Sequence, residues 1–383
     1  MTATAAPPVS LLHHFADLDD PRSDHTKRHD LLDIIALTLC AVVAGADAWT
    51  DVELYGLRKQ TWLETFLGLA NGIPSHDTLG RVFAALDPAA FCRCFVNWMN
   101  AVVDASRGRL VAIDGKTLRH SFDTASGKSA LHLVSAWASA NHLLLGQIAV
   151  DDKSNEITAI PELLRLLDLQ GALVTIDAMG CQKKIAADIV AAGGDYVLAV
   201  KENHPTLYAD IERVFLAGLE DDFAGQDYRY YHTVDTAHGR TEERHYHLLA
   251  VPRALAEAHA DFVGIKTIGM VYRERAVGVG EAEGETHFYI SSRGLQVRVF
   301  AGAVRGHWSI ENNLHWVLDV AFQEDASRVR LGHGPENLGL MRRIALSLLK
   351  RASTPKKVGI ACKRKQAGWN DDFLVEVLLG QTE

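Results

Sequence analysis

Two aspartates close apolar runs that read as β-strands. In "LVTIDAMG" Asp177 follows Leu173-Val174-Thr175-Ile176, and in "LVAIDGKTLR" Asp114 follows another such run and precedes a glycine. The carboxyl ends of strands in an open α/β sheet border a crevice where ligands are held. If the two strands are neighbours, the two carboxylates face each other and repel, and a divalent cation relieves that repulsion. Oxygen-only ligands favour Mg²⁺ or Mn²⁺. The competing reading is that each aspartate caps a tight turn, as aspartate often does before glycine.

A third carboxylate is available in "RGHWSIENNLHWVLD". On a helix from Val304 to Asp319, the residues His307, Glu311, Leu314, His315 and Leu318 fall along one stripe. A glutamate inside an otherwise apolar and aromatic stripe is costly unless it meets a cation or a partner. Arg305 and His315 are the ordinary partners to consider. Asp319, Glu324 and Asp325 lie in or beyond the last turn, where solvent is expected. Three acids on such a scaffold suit in-line phosphoryl transfer with two Mg²⁺ ions. One ion activates a water or a 3′-hydroxyl and the other stabilises the leaving oxygen. Basic residues flank the same segments: Lys116 and Arg119, Lys183 and Lys184, Lys201 and His204, and Arg305. Together they suit a polyanionic substrate, although each alone reads equally well as a solvated charge.

The elements that must position these residues follow from pattern. Residues 1–104 read as a compact all-helical domain, with Leu31 to Ala46 a buried helix, Ser75 an N-cap and Pro88 in a first turn. From residue 108 three short β-runs form a meander, followed by helix, strand, helix, strand; this order predicts a mixed sheet with helices on its faces. Residues 207–290 read as polar and strand-rich, with a hairpin turn at His238-Gly239. After Gln296 helices return.

Composition sets the outer bounds. The chain has 383 residues, 48% of them hydrophobic, enough for a sizeable core and two or three domains of about 100–200 residues. No apolar run reaches the roughly 18–20 residues of a membrane span, and the N-terminus lacks a signal-peptide pattern. Five unpatterned cysteines favour buried thiols in a reducing cytoplasm over disulfides or a zinc site. The net charge of −9 argues weakly against nucleic-acid binding. Against that, Arg342, Arg343, Lys350, Arg351, Lys356, Lys357, Lys363, Arg364 and Lys365 form a run without acids. Such a run either attracts phosphate or is a solvated tail.

Taken together, "VAIDGKTLR", "TIDAMGCQKKIA", "YVLAVKENHP", "HGRTEERHY", "YISSR" and "RGHWSIENNLHWVLDVAFQEDASR" resemble the ISAs1 family of bacterial insertion-sequence transposases, DDE enzymes related to the IS4 group. "HHFADLDDPRSDHTKRHDLLDIIAL" and "GIPSHDTLGRVF" resemble its N-terminal region. The resemblance implies an RNase H-like core (108–206 and 291–350) interrupted by a β-rich insertion (207–290). The 1–104 region and the basic 351–383 segment become candidates for DNA-end recognition. It also implies that Asp114, Asp177 and Glu311 bind Mg²⁺, with Mn²⁺ as a substitute, for cleavage and strand transfer at the element ends. Double-stranded DNA is then the partner, held by a homodimer in the DNA complex. His238 and Arg240, in "HGRTEERHY", join the basic residues above as expected DNA contacts. The IS4-group signature places Tyr, Arg and Lys around its glutamate. Here those places hold Val304, His307 and Leu318, so phosphate contact and positioning pass to Arg305, His307 or His315. Two other readings share this site: a relic that binds DNA or a protein partner without catalysis, and a metal-dependent nuclease without strand transfer.

Overall fold

The computed structural model describes residues 12–102, 110–122, 129–139, 143–150, 156–237, 240–277 and 283–379. Its N-terminal part folds as α1 (Leu31–Val43), α2 (Trp49–Leu63), α3 (His76–Ala85) and α4 (Pro88–Val102). Asp30 caps α1 through the amides of Leu32 and Asp33, and Ser75 caps α3 through the amide of Thr78. Helix α1 is apolar on nearly every side and accordingly buried along most of its length.

Next come β1 (Leu110–Thr117), β2 (His132–Ala138), β3 (Leu143–Val150), α5 (Glu156–Arg165), β4 (Leu173–Ile176), α6 (Lys183–Ala191) and β5 (Asp195–Val200). This is the order that the sequence predicts. The chain continues with α7 (Pro205–Glu220), β6 (Tyr228–Ala237), β7 (Arg240–Ala250), α8 (Arg253–Ala258), β8 (Thr267–Val277) and β9 (Glu283–Ser291). The nine strands of the described residues form one mixed sheet in the order β3-β2-β1-β4-β5-β9-β8-β7-β6. Strands β1, β4 and β5 run parallel, and the other pairings are antiparallel. Ile113 lies opposite Ile176, so the aspartates that follow them leave adjacent strands at the same end.

One expectation about residues 207–290 needs correcting. The first part is helical: Leu207, Ile211, Phe215 and Gly218 are buried at helical spacing along α7. Its strands also extend the sheet of β1–β5 directly, because β9 pairs with β5 from Val197↔Ser291 to Val200↔Phe288. The hairpin joins β6 and β7 where expected, with Ala237 paired to Arg240; His238 and Gly239 lie outside the described residues.

The chain ends with α9 (Val297–Ile310), a π-helical turn (Glu311–His315), α10 (Trp316–Phe322), α11 (Gly334–Arg351), α12 (Ile360–Trp369) and α13 (Asp371–Leu379). Helix α9 crosses the sheet, burying Phe300 and Val304 against Leu173, Val197 and Tyr289. Gly306 faces β1 at this crossing, where an added Cβ would press on the end of the Leu110 side chain. Helices α5, α6 and α7 also pack on the sheet, and α11 packs against α1, α3, α4, β3 and α12.

The basic run is neither a free tail nor uniformly a phosphate-facing surface. Arg342, Arg343, Lys363 and Arg364 are buried. Arg364 donates to the carbonyls of Val42 and Ala46 at the end of α1 (2.9 and 3.0 Å) and pairs with Asp47 at 2.9 Å. Lys363 donates to Leu349 and Ala352 at the end of α11 (2.8 and 2.6 Å). Cations satisfy carbonyls that helix C-termini leave without intrahelical partners, in the favourable field of the helix dipole. Arg351, Lys356, Lys357 and Lys365 are exposed. The cysteines are free, and Cys362 is exposed where a buried thiol was expected. Among the described residues no helix is long and apolar enough to cross a membrane.

Candidate active site

Asp114, Asp177 and Glu311 line one cavity of about 230 Å³, together with Lys201, Glu285 and His307. Asp177 also closes a turn: its Oδ1 accepts from the amides of Met179 and Gly180 at 3.0 and 3.2 Å. Turn capping and cavity lining therefore coexist in one carboxylate. Asp114 retains 20% side-chain exposure. Burial pushes its pKa up to about 7; the Gly115 amide opposes this, while Asp177, Glu311 and Glu156 reinforce it with negative charge. The three acids offer only oxygen donors, the chemistry that suits a hard divalent cation.

Glu311 departs from the expected stripe. Leu314 and Leu318 are buried, but Glu311 is exposed at the cavity. It begins the π-helical turn, where i→i+5 bonding breaks the 3.6-residue period on which the stripe rests. Neither ordinary partner takes it: Arg305 pairs with Asp235, and His315 faces Asp114 Oδ2 at 3.5 Å. Burial, with help from Arg343 and Lys116, lowers the His315 pKa to about 3. The imidazole is therefore neutral near pH 7, and its approach to Asp114 is a polar contact rather than an ion pair.

Strand β1 and the glutamate-bearing helix meet in two matched steps. Asp114 and Lys116 are two apart on the strand, about 6.6 Å, and His315 and Asp319 four apart on the helix, about 6 Å. His315 meets Asp114 and Asp319 meets Lys116. Lys116 also reaches Glu324 at 3.1 Å and Asp325 at 3.7 Å, and Glu324 pairs with buried Arg343 at 2.5 Å. Burial alone would raise the Glu324 pKa, but Arg343 and Lys116 hold it near 2. Glu324, expected in solvent, is thus the centre of a buried charge cluster. Lys116, expected on DNA, is enclosed by carboxylates beneath the site.

The other expected DNA contacts scatter. Lys201 is exposed and lines the cavity. His307 lines it as well, 3.2 Å from the Thr175 hydroxyl, and burial lowers its pKa. Arg119 is 77% exposed, 3.2 Å from Asp325. Lys183 pairs with Asp261 (2.7 Å) and Lys184 with Asp188 (2.9 Å), both outside the cavity. His204 contacts the Cys181 carbonyl. His238 lies outside the described residues, and Arg240 is described only as the first residue of β7. Sequence reasoning missed Glu285, His287 and Tyr289, which line the cavity from β9. Their i, i+2, i+4 spacing in "ETHFYISSR" was the available signal, but nothing local shows that β9 lies beside β5. Trp308, 45% exposed at the cavity, was missed too.

Comparison with known proteins identifies the family. Residues 105–348 match the family model described as Transposase DDE domain, and residues 12–99 match one described as DDE_Tnp_1-associated. The Escherichia coli O157:H7 protein "Putative transposase YncI" is 40% identical over 376 residues, covering 98% of this chain and 95% of that one. The Escherichia coli K12 protein "H repeat-associated putative transposase YhhI" is 39% identical over 374 residues, covering 97% of this chain and 98% of its own. A solved piggyBac transposase synaptic complex with hairpin DNA aligns over 99% of this chain and 83% of its own at 9% identity, with a TM-score of 0.44, too low to carry an argument. The family model spans well over half the chain, and relatives near 40% identity span nearly all of it. The chain belongs to the DDE transposase family.

Proposed function

We propose that the chain is the transposase of a bacterial insertion sequence, of the ISAs1 type related to the IS4 group. In this reading it cleaves DNA at the ends of its own element and joins them to target DNA. The observation that carries it is the convergence of Asp114, Asp177 and Glu311, from two adjacent strand ends and one helix, on a single cavity. These three carboxylates would hold Mg²⁺, with Mn²⁺ as a substitute. A metal held by them would supply neutralisation of phosphate charge and a lower pKa for the attacking oxygen. Asp114 and Asp177 are held by the parallel β1–β4 pairing, and neutral His315 packs against Asp114. Lys201, exposed at the cavity, offers a charge to a phosphate. The N-terminal helices and the exposed basic residues of 351–365 are the surfaces assigned to end recognition. A homodimer on double-stranded DNA in the bacterial cytoplasm completes the proposal.

The test is divalent-metal-dependent cleavage of a DNA fragment carrying the element's own ends, with wild type beside Asp177→Asn. Asn keeps the size and loses the charge, so cleavage is expected to fall by about 10²–10³-fold or more with the fold unchanged. Equal activity in the two proteins would remove Asp177 from the mechanism. Inertness of both would favour the non-catalytic relic.

A further inference from the structure

We propose that His232, Glu243 and His245, on the β6–β7 hairpin, form a separate site for a borderline transition metal of the Zn²⁺ class. His232 and His245 face each other directly across the antiparallel pair, and Glu243 is two residues before His245 on β7. Alternation along a strand therefore puts all three on one face. Their candidate ligand atoms all lie within 4.8 Å of one another. His232 Nε2 and Glu243 Oε2 are 3.3 Å apart. Two ligands at ordinary Zn–N and Zn–O lengths on a tetrahedral ion stand about 3.3–3.5 Å apart, so this edge already has a suitable length.

His245 has its own support. The Tyr230 hydroxyl is 2.7 Å from its Nδ1, which fixes the ring and leaves Nε2 to face an ion. The His232 and His245 rings stack 4.5 Å apart, 27° from parallel. Two imidazoles and one carboxylate favour zinc or a similar ion over Mg²⁺, which takes oxygen ligands. Three protein ligands leave a fourth position open. Glu243 and His245 also line a cavity of about 670 Å³ between the sheet and α7.

The site shares no residue with the catalytic carboxylates and lies on the other side of the sheet. His245 is in register with Tyr272, and Tyr272 with Thr286. The neighbours of Thr286 on β9, Glu285 and His287, line the catalytic cavity. An ion at the hairpin would tie edge strand β6 to β7, where the sheet otherwise ends.

The experiment is calorimetric titration of ZnCl₂ into untagged full-length protein in excess Mg²⁺, with Co²⁺ as an absorbing substitute. One equivalent of Zn²⁺ is expected to bind in wild type and equally in Asp177→Asn. Binding should be lost in His245→Ala and His232→Ala, and weakened about tenfold in Tyr230→Phe, the loss typical of an outer-shell partner. Circular dichroism checks the fold of each variant. If an alanine variant fails to fold, Glu243→Gln, at a half-exposed position, takes its place. Unchanged binding in the ligand variants, loss confined to Asp177→Asn, or no Zn²⁺ binding by wild type would each overturn the proposal.

Discussion

Glu324 shows how one side chain can be set entirely by its partners. Burial opposes its charge, yet Arg343 and Lys116 hold its pKa near 2, below the ordinary 4.5. A carboxylate whose folded pKa is lowered contributes stability above its unfolded pKa and loses it as pH falls through the folded value. The contribution is therefore full above about pH 4.5 and fades towards about pH 2. Glu324→Gln leaves two buried cations underpaired, so urea unfolding at pH 7 should show a loss of about 3–5 kcal/mol. Repeated at pH 3, the gap between variant and wild type should be smaller. A constant gap would show that packing, rather than charge, accounts for the loss.

At the scale of elements, the helix carrying Glu311 is aligned by one glycine and one irregular turn. Gly306 lets α9 approach β1 closely, and the Ser139 hydroxyl donates to the Gly306 carbonyl at 3.0 Å. Gly306→Val should cost about 1–3 kcal/mol by overpacking, and it should reduce cleavage further by lifting Glu311 from the cavity. Thermal melts and cleavage assays separate the two effects. The π-helical turn at Glu311–His315 carries one more residue than an α-turn would. Deleting Asn312 should restore α-helical winding and remove the bulge next to Glu311, while the residues after it stay nearly in phase with α9. Far-UV circular dichroism should then stay near wild type while cleavage is lost. Retained cleavage would show that the irregular turn is not needed.

In the molecule as a whole, α11 lies at the centre of packing between the N-terminal helices, the sheet and the C-terminal helices. Arg364 links the last of these to the first by donating to carbonyls more than 300 positions earlier. Arg364→Met leaves those carbonyls without this donor, and a drop in unfolding free energy of about 1–3 kcal/mol per group is expected. The same contact shows why the charge pattern did not reveal that Arg342, Arg343, Lys363 and Arg364 are buried. A list of charges carries no information about burial, which depends on which distant carbonyls and carboxylates fold against them. The helical spacing within α7 was present in the sequence, but the polar, strand-rich texture of the following residues obscured it. What the sequence determined by itself was local: apolar runs ending in Asp114 and Asp177, the β-β-β-α-β-α-β order, the Ser75 cap and the hairpin turn. Each of these depends on neighbours within a few positions, where backbone preference and side-chain alternation act. The tertiary structure alone decided that β1 lies beside β4, that β9 brings Glu285 and His287 to the cavity, and that Lys116 is enclosed rather than facing DNA. Those outcomes join residues tens to hundreds of positions apart, and the packing of the whole chain selects among pairings that local pattern leaves open.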